Sequence, residues 1–324
     1  MAEPGNWAFP AGLQPSPDEA RFDLKSVLDS VVLLRAQIPD DAFTAPILGT
    51  ERAGNGIVIR DDGLVVTIGY LITEAESIWL TSNRGVVVPG HALGYDQSTG
   101  LGLVLPLGPL GVRPLERASA AGVQADADVI VVGHGGRAHS LKARIIAKRE
   151  FAGYWEYLLD EALFTAPAHP QWGGAALVGH DGRLLGVGSL LVHESAAGRA
   201  IDGNMFVPID LLAPILDEML TLGRAARAPR AWLGIYTAEM DGQLVIGGLA
   251  PGGPAERAGV VLGDLVLEVG GERVASLAQM YRGIWSAGPA GSEVTLTLSR
   301  RGASALLTLR SADRNEFLKK QRMH

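Results

Sequence analysis

His134 and His139 stand five residues apart in Gly133-His134-Gly135-Gly136-Arg137-Ala138-His139, and imidazoles are among the side chains here able to hold a transition metal. No carboxylate or thiolate accompanies them at a ligand spacing, so they are expected to be structural or solvent-facing. A lone imidazole such as His169 reads as a hydrogen-bonded structural residue. Ser98, Thr99, Ser140 and Ser189 carry hydroxyls, but none has a base beside it, and each reads as a turn or strand residue. The run Tyr154-Trp155-Glu156-Tyr157-Leu158-Leu159-Asp160-Glu161 mixes acids and aromatics. It reads either as a partly buried strand with polar ends or as an edge that contacts a peptide or partner.

These residues need a scaffold, and the chain's 324 residues allow about two domains. With 42 Gly, 18 Pro, 47% hydrophobic and 19% charged residues, it reads as a folded, turn-rich protein. The net charge of −7 supplies no patch for nucleic acid or an anionic membrane. Zero cysteines exclude disulfides and thiolate chemistry. No apolar run is long enough for a membrane helix. Met1 to Pro10 lacks a basic stretch followed by an apolar one, which predicts a cytoplasmic protein, or a periplasmic one if the N-terminus was trimmed.

Residues 1–23 form a Pro-rich, acidic arm with Trp7 and Phe9 as its large apolar groups. From Ser26 to about Asp210 come short aliphatic runs: 31–34, 56–59, 64–67, 77–80, 85–88, 129–132 and 184–187. Their spacing and intervening turns, including Asp61-Asp62-Gly63 and His180-Asp181-Gly182, predict an all-β barrel or sandwich. Residues 208–220 are amphipathic at helical spacing and stop at Gly223. A linker follows at 223–229. Leu277, Met280, Tyr281, Ile284 and Trp285 then mark one helix face, and the alternation of 293–299 followed by 305–309 predicts a closing hairpin.

Three frames along the first 222 residues match one family. Gly54-Asn55-Gly56-Ile57 running through Thr67-Ile68-Gly69-Tyr70-Leu71-Ile72 resembles the G-S-G-x-x-I…T-N-x-H-V-V segment of the HtrA/Deg family of trypsin-like serine proteases. Gly94-Tyr95-Asp96-Gln97-Ser98-Thr99-Gly100-Leu101 is similar to its D-x-x-x-D-L stretch, and His169-Pro170-Gln171-Trp172-Gly173-Gly174 to its P-G-N-S-G-G elbow. Asn204-Met205-Phe206-Val207-Pro208 adds a fourth marker. Trp232-Leu233-Gly234-Ile235, Pro254 to Gly259 and Gly263-Asp264-Leu265 resemble the family's PDZ domain.

The resemblance implies a mainly β fold, a chymotrypsin-like double six-stranded β-barrel followed by an α+β PDZ domain. Its parts are an arm (1–23), a protease-fold domain (24–222), a linker (223–229), a PDZ domain (230–312) and a tail (313–324). It also implies that Tyr70, Gly100 and Trp172 occupy the triad's His, Asp and Ser positions, and that Pro170 occupies an oxyanion-hole position. A phenol is a poor base near neutral pH, glycine has no carboxylate, an indole has no nucleophilic lone pair, and proline has no N–H. Catalysis by Ser, His and Asp is therefore not expected, and Trp172 is expected to plug the cleft against Tyr70.

Binding is then the function implied, with no cofactor. The PDZ loop would capture the C-terminal carboxylate of a protein or peptide ending in an apolar residue, using Trp232, Leu233, Gly234, Ile235, Met280 and Ile284. The family implies further that the N-terminal arm builds a homotrimer, or an assembly with an active relative, and that the region around 154–161 senses activation. Two other readings stay open: an active endopeptidase with a non-standard site, and a pseudoprotease binding metal through His134, His139 and His169.

Overall fold

The computed structural model describes residues 7–196 and 199–319, so the first six residues of the arm and the last five of the tail lie outside the described residues. By its contacts the chain divides into two compact units, Met1–Arg149 with Glu161–Ala226 and Lys320–His324, and Glu150–Asp160 with Arg227–Lys319. The second unit thus takes in a short segment that lies inside the first unit's span of sequence.

In the first unit, Asp23 caps α1 (Leu24–Asp29), its carboxylate accepting the Ser26 N–H at 3.0 Å. β1 (Val31–Gln37) follows, burying Val32, Leu34 and Ala36 while Arg35 and Gln37 face out, the period-two pattern of a half-buried strand. α2 (Ala45–Leu48) leads to β2 (Glu51–Val58), then β3 (Val65–Ile68), β4 (Ser77–Thr81), β5 (Val87–Tyr95) and β6 (Leu101–Pro106). These close in the order β1-β2-β3-β6-β5-β4, because β4 pairs back onto β1 with Leu80 opposite Leu34.

β7 (Asp128–Val132), β8 (Ser140–Gly153), β9 (Tyr157–Ala166), β10 (Ala176–Val178), β11 (Leu184–Ala196) and β12 (Arg199–Pro208) make a second closed barrel, ordered β10-β11-β12-β9-β8-β7. Closure leaves no free strand edge in either. Val131, Leu141, Ile145, Leu163, Leu177 and Phe206 fill the second core. The double six-stranded barrel is the fold class that the strand spacing and the resemblance predict.

One expectation is corrected. The amphipathic stretch 208–220 is not one helix. It forms two 3-10 turns, Ile209–Leu211 and Ala213–Ile215, and only then α3 (Leu216–Leu222), ending at Gly223. Pro214 has no N–H to extend a ladder, so the regular helix begins after it. At Trp7 and Phe9 the arm packs on its own domain. The Trp7 ring meets His139 with centroids 4.4 Å apart, Phe9 meets His169 at 5.1 Å, and the Phe9 N–H donates to Ala138 O at 2.9 Å. Two aromatics thereby cover imidazole faces that would otherwise meet water.

The second unit is built on a sheet ordered β13-β14-β15-β17-β18, with β16 (Glu272–Arg273) paired to β15. Its strands are β13 (Ile235–Met240), β14 (Gln243–Leu249), β15 (Leu265–Val269), β17 (Glu293–Arg300) and β18 (Ala303–Arg310). α4 (Pro254–Arg257) and α5 (Leu277–Ser286) pack with it. Ser276 caps α5 by accepting the Gln279 N–H, and Leu277, Met280, Tyr281 and Ile284 turn one face into the core, as their spacing predicts.

Arg300 closes the unit at one end. It grips the buried carboxylate of Asp264 with two bonds, at 2.8 and 2.7 Å, and also donates to Gly259 O at 2.8 Å. These hydrogen bonds hold the Asp264 carboxyl below its ordinary value of 3.8. The stability this contributes is present above that ordinary value and is lost as pH falls through the lower folded value. Arg300→Ala is therefore predicted to lower the urea midpoint at about pH 7, with a difference that shrinks toward about pH 3. An undiminished difference at the lower pH would contradict this linkage.

Candidate functional site

The elbow around Trp172 is held in place by Asn55. This side chain on β2 is buried, and its Nδ2 donates to Gln171 O at 2.9 Å and Gly173 O at 3.1 Å, while its Oδ1 accepts from His134 N at 2.8 Å. Its backbone N–H donates to Gly173 O at 2.8 Å, and its carbonyl accepts from the Thr67 hydroxyl at 2.7 Å. Gly174 adopts a φ of +72°, and a Cβ there would lie 1.9 Å from Asn55 O. Glycine at that position is a packing requirement of the barrels, whatever the chemistry beside it.

Tyr70 lies on the 3-10 turn Gly69–Leu71 after β3. Its phenol donates to Ser189 O at 2.9 Å, and the Trp172 indole lies close enough to act on the phenol electrostatically. Burial pushes the phenol above its ordinary value of 10, so it is an even poorer base than an exposed tyrosine. A Cβ on Gly173 would come 2.8 Å from the Tyr70 hydroxyl. Tyr70 and Trp172 line one cleft of about 560 Å³ together with Trp7, Leu48, Arg52 and Pro170.

A buried network that the sequence did not reveal supports the Tyr70 turn. Arg52 donates to Tyr70 O at 2.7 Å, Thr73 O at 3.1 Å and the Thr44 hydroxyl at 2.7 Å. Glu74 accepts from Phe43 N, Thr44 N and the Thr44 hydroxyl, at 2.9, 2.8 and 2.6 Å. Burial lowers the Arg52 guanidinium to about 10, against the pull of the nearby Glu74 charge. No local motif marks these residues, since Arg52 and Glu74 meet only through the barrel.

Gly100, which the resemblance sets at the triad's Asp position, has a φ of +77°. Its carbonyl accepts Gly69 N at 2.7 Å and its N–H donates to Asp96 O at 2.8 Å. An aspartate in that backbone would be strained. At Pro170 no N–H exists for an oxyanion, and the next N–H, of Gln171, donates to His169 Nδ1 at 3.0 Å. Ser140 and Thr99 bond backbone groups: the Ser140 hydroxyl donates to Gly136 O at 2.9 Å, and that of Thr99 accepts from Leu101 N at 3.2 Å. Ser98 lies in the turn before Gly100. Ser189 is buried, and its carbonyl is the acceptor for Tyr70.

His169 is fully buried, with Nε2 2.9 Å from His139 O and Nδ1 accepting from Gln171, while Asn204 bonds its backbone N–H at 2.6 Å and its carbonyl at 3.2 Å. These partners set one neutral tautomer with the proton on Nε2, and burial lowers the imidazole to about 4. Burial also lowers His134 and His139, and His134 Nε2 and His139 Nδ1 have no hydrogen-bond partner. Among the described residues no group of three or more His, Asp or Glu side chains is placed to hold a metal.

The peptide-binding candidates converge in the second unit. Leu233, Ile235, Met280 and Ile284 are fully buried in its core, and Trp232 packs on Phe317 with centroids 4.8 Å apart. Gly234 sits at a φ of +76° between them. The N–H groups of Leu233, Gly234 and Ile235 converge as a carboxylate cradle, and an acceptor is already there. The Glu156 carboxylate takes Leu233 N at 3.0 Å, Gly234 N at 2.7 Å and Ile235 N at 3.0 Å. The sequence puts Glu156 in a cluster that reads as a partly buried strand or as an edge contacting a peptide or partner, without pointing to the Leu233–Ile235 loop. The available signal was an acid flanked by Trp155 and Tyr157 with no neighbouring cation.

Residues 54–187 match the family model described as "Trypsin-like peptidase domain", and residues 245–300 match that of "PDZ domain". The chain is 25% identical over 273 residues to the "Probable periplasmic serine endoprotease DegP-like" of Halomonas elongata, covering 80% of this chain and 56% of that protein. It is also 25% identical over 293 residues to "Protease Do-like 1, chloroplastic" of Arabidopsis thaliana, covering 83% and 66%. The chain thus spans less than two thirds of both relatives. Among solved structures, "HtrA-type protease AlgW with decapeptide" superposes with a TM-score of 0.53 at 17% identity, over 90% of this chain and 98% of that one, which is a likeness of fold. A trypsin-like peptidase domain followed by a PDZ domain is thus the arrangement of this chain, and in both sequence and fold it is similar to proteases of the HtrA/Deg family.

Proposed function

We propose that this chain is a catalytically inactive HtrA-type protein that works by binding protein C-termini through its PDZ unit, as an adaptor, chaperone-like or regulatory component. The observation that carries the reading is the elbow itself. Trp172 stands where the family's nucleophile would be, and its indole is engaged with a Tyr70 phenol whose proton is committed to Ser189 O. Acyl transfer needs a nucleophile, a base near neutral pH and two N–H donors for the oxyanion, and the first two are absent from these positions while Pro170 removes a donor.

The cradle of the second unit supports the binding half. Three backbone N–H groups converge on one carboxylate beside the edge strand β13, the geometry by which a C-terminal peptide adds to a sheet. The buried side chains of Leu233, Ile235, Met280 and Ile284 make the floor apolar, which favours an apolar last residue. Partners are accordingly protein or peptide C-termini. Assembly as a homotrimer, or with an active relative, and a cytoplasmic or periplasmic location belong to the same proposal.

Three outcomes are expected. A library of peptides with free carboxylates, presented to the full chain, should give selective capture of apolar C-termini, and capture indifferent to the last residue would sink the binding half. The combined variant Tyr70→His, Gly100→Asp, Trp172→Ser should still fail to cleave casein at a rate near that of an active HtrA protease. Loss of a single oxyanion donor alone costs about 10²–10³ in kcat, and an aspartate at position 100 would have to take the positive φ that Gly100 adopts without strain. Recovery of full activity by these three changes would show that Pro170 does not matter. Trp172→Ala is predicted to destabilise the fold by about 1–2 kcal/mol and to open the cleft to solvent, since it leaves the Tyr70 phenol uncovered.

A further inference from the structure

The groove between β13 and α5 holds a segment of this same chain. Beyond the Glu156 carboxylate in the N–H cradle, the Tyr154 carbonyl accepts from Thr237 N at 3.0 Å, a main-chain bond along the outer edge of β13. From the other wall, the Tyr281 hydroxyl of α5 donates to Gly153 O at 2.7 Å and accepts from Glu156 N at 3.3 Å. Leu158 enters the core of the unit, and Arg282 of α5 pairs with both Glu150 and Asp160 at the two ends of the segment. An edge-strand bond, a captured carboxylate and an apolar anchor are the features by which an extended C-terminal peptide would bind.

The fit is forced in one place. Glu156 adopts a φ of +59°, a left-handed conformation that non-glycine residues rarely take and that persists only where surrounding contacts hold it. The carboxylate is directed into the cradle at that cost in backbone strain.

We propose that Glu150–Asp160 is an internal ligand of the PDZ groove, with the Glu156 carboxylate in the place of a partner's C-terminal carboxylate. A C-terminal peptide then binds by displacing it, a step that rests on the reading of this groove as a receptor for C-termini. Two carboxylates cannot share three N–H groups, so occupancy is exclusive. The intact chain is a closed receptor, and opening exposes Tyr154, Trp155 and Glu156 together with the cradle.

Protonation provides a lever on this equilibrium. Burial pushes Glu156 up to about 7, against the opposing pull of its backbone hydrogen bonds and of Arg314. The other titratable groups facing it are Tyr154 on the same segment, Tyr236 on β13 and Tyr281 on α5, and burial pushes the phenols of Tyr236 and Tyr281 upward, away from neutral pH. A raised folded value means that the docked segment takes up a proton relative to the released one. Docking is then strongest below the ordinary carboxyl range and weakens as pH rises through about 7.

The test compares the full chain with its Glu156→Ala and Glu156→Gln variants, using a fluorescent hexapeptide ending in a free-carboxylate valine and the same peptide amidated. Glu156→Ala is expected to bind the free-carboxylate peptide about ten- to a hundredfold more tightly than the unmodified chain, and no form to bind the amide well. The unmodified chain should bind up to about tenfold more tightly at about pH 8 than at about pH 6, a dependence that Glu156→Gln abolishes. In amide exchange, which needs no peptide, Leu233, Gly234 and Ile235 should lose protection in Glu156→Ala while β17 and β18 keep theirs. Unchanged exchange at those three amides, or equal peptide affinity with and without Glu156, overturns the internal ligand and leaves the C-terminus reading standing. Absence of peptide binding in every form overturns the C-terminus reading, and displacement with it.

Discussion

Asn55 is the constraint on which the first unit's site depends. Its amide, its backbone N–H and its carbonyl tie β2 to the elbow at Gln171 and Gly173, to the loop at His134 and to the Thr67 hydroxyl. A buried amide with this many partners is costly to replace, because each lost partner leaves a polar group unsatisfied away from water. The neighbouring Gly174 is equally constrained, since any side chain would collide with Asn55 O. The elbow's shape is therefore maintained by packing and hydrogen bonding that do not involve the residue at its tip.

That separation lets the elbow frame stand whatever residue occupies its tip. Gly173 and Gly174 serve the barrel contacts, Arg52 holds the carbonyl of Tyr70 in place, and His169 is locked as a neutral, buried imidazole between His139 O and Gln171 N. Trp172 and Tyr70 line the same cleft. Every one of these roles is structural. In the account proposed here, the selectable function has moved to the second unit, where three backbone N–H groups receive a carboxylate without any catalytic side chain.

Much of this was legible because the signals are local. The elbow and the turn before Tyr70 are contiguous runs of glycine and aliphatic residues, and the helix face of α5 repeats at a spacing any amphipathic helix shows. The helix expected at 208–220 was misjudged for an equally local reason, as hydrophobic spacing outweighed Pro214. The contacts that stayed hidden are long-range. Glu156 lies 77 residues from Leu233, and Asn55 lies 118 from Gly173, so neither pairing leaves a mark in either segment alone. Trp7 and Phe9 have no local partner in the sequence and so carry no address there, and the fold supplies one at His139 and His169.

The central claim is that the elbow holds no activatable nucleophile. The most direct measurement is intact-mass spectrometry of the unmodified chain after prolonged exposure to a fluorophosphonate, which phosphonylates an activated serine regardless of substrate preference. The account predicts an unchanged mass. A stoichiometric adduct on any serine, abolished by mutating that serine to alanine, would contradict it and restore the chain to the working endopeptidases.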